Sequence, residues 1–207
     1  MEVSILDIKS GNMGSLKNIL KFIDLKFEII EDKEKIKNAN SLIIPGDGSF
    51  NVIDYIKKKN FIDELNSFFL RNKPILGICL GMQLFSNSSE EGEDKEGFGW
   101  ISGKVRKFSN KLNVKIPHIG YNSIEIKKNH GILDGIRNQS DFYFVHSYYY
   151  DIENNEDILA TTNHGINFPS IISKKNIIGT QFHPEKSQNN GIKFFQNFKN
   201  YIKKITC

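Results

Sequence analysis

The sequence predicts an α/β protein: a mostly parallel central sheet flanked by helices, with additional antiparallel strands in the second half of the chain. Two observations carry this prediction. The first half alternates short apolar runs with helix-spaced apolar residues, the pattern that βαβ units leave in a sequence. From Ile101 onward the apolar runs become short and alternating and are separated by Gly, Asn and Pro, as antiparallel strands are. Neither an internal repeat nor a dividing linker is visible, so residues 1–207 read as one domain, long enough to bury roughly 70% of the surface its unfolded chain would expose.

In order along the chain, residues 3–8 read as the first strand and Leu16, Ile19, Leu20 and Ile23 as one face of a helix. Strands follow at 27–30 and 42–44, helices at 52–57 and 61–70, and a buried strand at 74–78. The second half offers strands at 105–108, 123–126, 142–145, 171–173 and 176–180. A closing helix spans 191–202, where Ile192, Phe195, Phe198 and Ile202 make one apolar face. The acidic run 90–96, beside the turn-forming residues 86–89, reads as solvated loop.

Composition excludes several classes of function. The net charge is only +4 on a chain that is 25% charged, and its lysines are scattered, which argues against nucleic acid as a partner. No apolar run approaches the roughly 20 residues of a membrane span, and residues 1–8 enter a strand pattern without a charged leader. Two cysteines, Cys79 and Cys207, make no disulfide framework, so a soluble cytoplasmic chain in a reducing compartment is expected. The His and Cys spacings form no compact ligand cluster, and neither a metal nor an organic cofactor is expected.

Three segments carry chemistry. Gly77-Ile78-Cys79-Leu80-Gly81 joins an apolar strand to a helical run, the arrangement of a nucleophile elbow with sulfur in place of oxygen. Glycine two residues either side suits the crowded backbone of such a turn, and the helix N-terminus after it stabilises a thiolate. Leu80 N–H can then serve an oxyanion. In Gln181-Phe182-His183-Pro184-Glu185, His183 can take a thiol proton and return it to a leaving group, and Glu185, two residues on, can orient the imidazole by lying on the same face of an extended segment. Pro45-Gly46-Asp47-Gly48 follows a strand at the same sheet edge, where Gly46 and Gly48 let the backbone turn an N–H toward an oxyanion. His118, His130, His146 and His164 have no comparable neighbour and read as surface or satisfied core groups.

These segments, in this order, resemble the class I glutamine amidotransferases over essentially the whole chain. The resemblance implies a Cys79, His183, Glu185 triad that hydrolyses glutamine to glutamate and ammonia through a glutamyl thioester. Within that family, residues 12–16, the elbow continuing as Gly81-Met82-Gln83, residues 143–147 and the motif 179–187 are similar to the glutaminase subunits of imidazole glycerol phosphate synthase. That similarity implies that Gln83, Glu91, Ser147 and Tyr148 hold the glutamine. It further implies a heterodimer with a (β/α)8-barrel cyclase that receives the ammonia through a tunnel, and places Asn12, Tyr121, Asn122 and Tyr143 near that partner. Where those subunits usually carry Gly-Trp-Asn, this chain has Gly120-Tyr121-Asn122, and Asn163-His164 stands where an aromatic is common. Paralogues that supply ammonia for sugar amidination in surface-polysaccharide pathways tolerate such changes and remain the alternative.

Overall fold

The computed structural model describes residues 2–9 and 13–206. In chain order it contains β1 (Glu2–Leu6), α1 (Met13–Phe22), β2 (Lys26–Ile30), α2 (Lys33–Asn38), β3 (Leu42–Ile44), α3 (Val52–Lys58), α4 (Ile62–Leu70), β4 (Ile75–Ile78) and α5 (Leu80–Gln83). There follow β5 (Ser88–Ser89), β6 (Lys95–Glu96), β7 (Gly103–Lys107), β8 (His118–Ser123), β9 (Glu125–Ile126), β10 (Asp141–His146), β11 (Tyr148–Ile152), β12 (Ile158–Asn163), β13 (Asn167–Lys174), β14 (Ile177–Thr180) and α6 (Gln188–Thr206). Asn12 and Cys207 lie outside the described residues.

The main sheet has eight strands in the order β2-β1-β3-β4-β14-β13-β12-β9. The first five are parallel to one another, and the last three add on antiparallel, as expected. β4 is an uninterrupted apolar run with Ile75, Leu76 and Ile78 all buried, because helices cover both faces of the sheet. Leu16, Ile19 and Leu20 of α1 and Phe194, Phe195, Phe198 and Ile202 of α6 fill one side. Ile36 of α2, Ile53 and Ile56 of α3, and Leu65 and Phe68 of α4 fill the other. Two smaller sheets, β10-β8 and β11-β7-β5-β6, complete the strand arrangement.

Four local expectations change. Residues 123–126 are not one strand: β8 ends at Ser123, Ile124 donates its N–H to Ser140 O at 3.0 Å, and the chain then enters the main sheet as β9. The short α2 was not anticipated, since Ile36 is its one buried residue; it is set by Asp32, whose side chain accepts from Lys35 N at 2.9 Å. β11 and β12 were also missed. The acidic run is not simply solvated: residues within it pair as β6, Glu90 accepts from Lys107 N and Glu91 from Phe50 N, each at 2.9 Å.

Candidate active site

β3, β4 and β14 are adjacent and parallel, so the three motifs that follow them emerge at one sheet edge. Cys79 has φ 52° and ψ −107°, a conformation a side-chain-bearing residue adopts only under constraint, and its N–H is held by Thr180 O at 2.7 Å. The constraint is packing. A Cβ on Gly77 would lie 2.7 Å from Gly81 O, and one on Gly81 would lie 1.9 Å from Ile44 O. A Cβ on Gly46 would meet Leu80 Cβ at 2.4 Å, which places Gly46 behind the elbow rather than on a cavity wall. Gly48, at φ 122°, does line the cavity. Leu80 opens α5, so its N–H has no partner within that helix.

His183 Nδ1 and Glu185 Oε1 are 2.7 Å apart, and both side chains are almost wholly buried. The carboxylate reaches the ring by a different route from the one expected. Pro184–Lys186 forms a 3-10 turn with His183 at its N-cap, and that turn, not an extended segment, swings Glu185 back onto the imidazole. The turn is clamped from two sides. His183 N–H donates to Tyr143 O at 2.8 Å, and Ser187 Oγ donates to His183 O at 2.7 Å while accepting from Tyr143 N at 3.0 Å. At the start of α6, Gly191 approaches so closely that a Cβ would lie 1.8 Å from Pro184 O.

Because a carboxylate can only accept, Nδ1 carries the hydrogen and the lone pair of neutral His183 resides on Nε2. Nε2 is buried, with Cys79 beside it. Burial disfavours the charged ring, but the neighbouring Cys79 and Glu185 outweigh it and raise the His183 pKa to about 10. The arrangement is therefore suited to holding a proton on His183. Lys186 Nζ, one residue on, lies 3.9 Å from Asp47 Oδ2 and ties this turn to the loop after β3.

A cavity of about 290 Å³ opens over the sulfur. Its walls include Gly48, Leu80, Gln83, Glu91, Ser147 and Tyr148 with Cys79 at the base; His183 and Glu185 do not line it. Glu91 is held by Phe50 N, and burial raises its pKa. Tyr121 and Tyr143 stand opposite each other across β8 and β10 with their rings 5.7 Å apart, and Tyr121 is half exposed. Tyr121 OH donates to Lys186 O at 2.9 Å, so this pair adjoins the turn that carries Glu185. Asn122 is committed internally, its amide donating to Asn163 O at 2.9 Å and contacting His118 Nε2 at 3.1 Å. Among the described residues no group of three or more His, Cys, Asp and Glu could hold a metal ion.

Sequence reasoning missed a hydrogen-bonded chain that runs from Gln83, Tyr148 and His146 in the cavity wall to Asn122. Tyr148 O accepts from Gln83 Nε2 at 3.1 Å and from His146 Nδ1 at 2.7 Å. A carbonyl can only accept, so His146 carries its hydrogen on Nδ1, and its Nε2 accepts from His118 Nδ1 at 3.0 Å. His118 Nε2 then accepts from Asn122. Both rings are neutral: burial lowers His118 to about 4 and His146 to about 3. His130, by contrast, caps the turn Gly131–Leu133, and His164 Nε2 meets Lys115 O at 2.8 Å, in keeping with the reading of these four as satisfied or surface groups. The spacing of the histidines gave no sign of the chain, because it depends on the register of β8 against β10, in which His118 faces His146.

The class I glutamine amidotransferase family model matches residues 5–200, and the chain belongs to that family. Among curated relatives, an imidazole glycerol phosphate synthase subunit HisH of Pelagibacter ubique is 42% identical over 207 residues, covering 97% of this chain and all of that one. The corresponding HisH 2 of Methanococcus maripaludis is 44% identical over 198 residues, covering 95% of this chain and 98% of that one. Among solved structures, PurLQS from Thermotoga maritima superposes with a TM-score of 0.75 at 15% identity, covering 97% of this chain and 98% of that chain, a likeness of fold.

Proposed function

We propose that the chain is a single-domain glutaminase subunit of imidazole glycerol phosphate synthase, in which Cys79, His183 and Glu185 hydrolyse glutamine. The observation that carries the chemistry is the buried His183–Glu185 pair at 2.7 Å beside a cysteine on a strained elbow. The near full-length identity to subunits of that name supports the pathway. Nδ1, held by Glu185, leaves Nε2 to take the Cys79 proton. The thiolate then attacks the side-chain carboxamide carbon, and the oxyanion is met by the N–H groups of Leu80 and Gly48. Protonated His183 delivers its proton to the departing ammonia, a glutamyl thioester remains, and water activated by the same ring releases glutamate.

Gln83, Glu91, Ser147 and Tyr148 surround the space above the sulfur and would orient the substrate, with the Glu91 carboxylate suited to an α-ammonium group. Gly46 acts by supporting the elbow. Ammonia in water is protonated and lost as a nucleophile, so a synthase subunit docked over the site would receive it directly. In this reading the partner is a (β/α)8-barrel cyclase making imidazole glycerol phosphate and AICAR for histidine biosynthesis, in the cytoplasm. The exposed Tyr121 face, with Tyr143, would meet it, while Asn122 serves from within; Asn12 is assigned to the same partner by sequence resemblance alone. Neither nucleic acid, membrane nor cofactor takes part.

The test is glutamine hydrolysis by the purified chain, alone and mixed with the cyclase of the same organism and its substrate. Marked activation by the cyclase supports the whole reading. Hydrolysis that the cyclase neither binds nor raises would move the chain to the sugar-amidinating branch. No hydrolysis in a folded complex would refute the glutaminase assignment.

A further inference from the structure

Gln181 has no part in the chemistry described so far, yet its side-chain amide is hydrogen-bonded to the sulfur. It is fully buried and does not line the cavity. In the parallel ladder of β4 and β14, Thr180 stands opposite Ile78, so the next residues, Gln181 and Cys79, leave the sheet side by side. Gln181 Nε2 lies 3.5 Å from Cys79 Sγ, and Gln181 Oε1 lies 3.1 Å from Gln83 Nε2.

The orientation of both amides follows from their partners. The carbonyl of Tyr148 can only accept, so the group of Gln83 facing it at 3.1 Å is the NH2. That same NH2 donates to Gln181, whose facing atom must be its oxygen. The amide nitrogen of Gln181 is thereby turned toward the sulfur. On another side, Sγ lies 3.9 Å from Val145 O, again an acceptor only. The two neighbours distinguish the two states of the cysteine: the S–H of a thiol can point at Val145 O, whereas a thiolate gains nothing there and gains an N–H donor in Gln181.

We propose that Gln181 is a catalytic residue whose amide N–H holds the Cys79 thiolate, and that Gln83 is the positioning residue that keeps this donor aimed at the sulfur. The assignment rests on Cys79 being the nucleophile. When the thiol proton moves to His183 Nε2, the negative charge left on sulfur is met by the Gln181 N–H. The bond weakens as the S–C bond forms and the sulfur loses its charge. It returns in the second half of the reaction, when water adds to the thioester carbon, the C–S bond breaks and sulfur departs as thiolate. One donor thus serves the attacking and the leaving sulfur.

The test is the pH dependence of Cys79 alkylation by iodoacetamide in the full chain, read on the Cys79 peptide by mass spectrometry so that Cys207 is scored separately. Gln181→Leu should alkylate at least about tenfold more slowly at neutral pH, the scale of one hydrogen bond to a charged group, and approach the wild-type rate only at higher pH. Glutamine turnover should lose kcat with little change in KM. Gln181→Glu is nearly isosteric, keeps an acceptor for Gln83 and offers the sulfur no amide donor; it should alkylate still more slowly, and it serves if the leucine variant does not fold. A wild-type alkylation profile in either folded variant, with only KM raised, would make Gln181 a prop for Gln83 and overturn the proposal. Because alkylation needs no glutamine, an inactive wild-type chain would count against the proposed function without touching this measurement.

Discussion

Gly81→Ala inserts one methyl group where a Cβ would lie 1.9 Å from Ile44 O. A carbon meets a carbonyl oxygen comfortably at about 3.3 Å, so the two backbones must separate by roughly 1.4 Å. Neither side can yield easily. Ile44 ends β3, which is paired with β1 on one side and β4 on the other, and Gly81 is fixed by the elbow and by Gly46, on which a Cβ would lie 2.5 Å from the Gly81 nitrogen. Overpacking of this kind costs about 3 kcal/mol. That corresponds to a fall in melting temperature of roughly 6–12 °C for a chain of this length. The displacement is also passed to Leu80 and Cys79, where a shift of about 1 Å from productive geometry costs roughly a hundredfold in turnover. Thermal unfolding and glutamine hydrolysis, measured on the same preparation, check both numbers. A variant that melts within about 2 °C of wild type and hydrolyses glutamine undiminished would refute the claim that close packing of β3 against α5 fixes Cys79.

Glu185→Gln removes the carboxylate that fixes the His183 tautomer and helps raise its pKa; turnover should fall roughly a thousand- to ten-thousandfold, less than for Cys79→Ser, and steady-state kinetics will show it in kcat. His183 binds its proton more tightly folded than unfolded, so its contribution to stability is complete below pH 6.5 and disappears as pH rises through about 10. Urea midpoints followed from pH 7 to 10.5 should decline through that window, and the decline should be shallower in Glu185→Gln. At the acid end the sign is opposite: His118 and His146 stay neutral when folded and take up protons when unfolded, so stability should fall from pH 6.5 toward about 3. Replacing His146 by Gln should flatten that acid limb, and an unchanged slope would show that burial does not hold the ring neutral.

The parallel half of the fold was legible because its strands are buried on both faces and spell unbroken apolar runs, as in β3 and β4. The elbow was legible for a related reason: glycine at 77 and 81 has a steric cause that leaves its mark in sequence. Where structure depends on register between distant segments, sequence falls silent. Gln181 reaches Cys79, and His118 reaches His146, only through pairings that no local pattern encodes. α2 was hidden because six residues with one buried side chain carry no period, although Asp32 is a readable cap. Glu91 was approached through resemblance, while the local reading of residues 90–96 as solvated missed the backbone groups that Glu90 and Glu91 bind. The His183–Glu185 contact was anticipated with the wrong backbone. Pro184 starts a 3-10 turn, and the turn delivers the same contact that extended geometry had suggested.

The most direct test of the account is to treat the purified chain with an electrophilic glutamine analogue and locate the adduct by peptide mass spectrometry. The account predicts one adduct, on Cys79, that glutamine protects against and that Cys79→Ser abolishes. An adduct on Cys207 in place of Cys79, or labelling that glutamine does not slow, would contradict it.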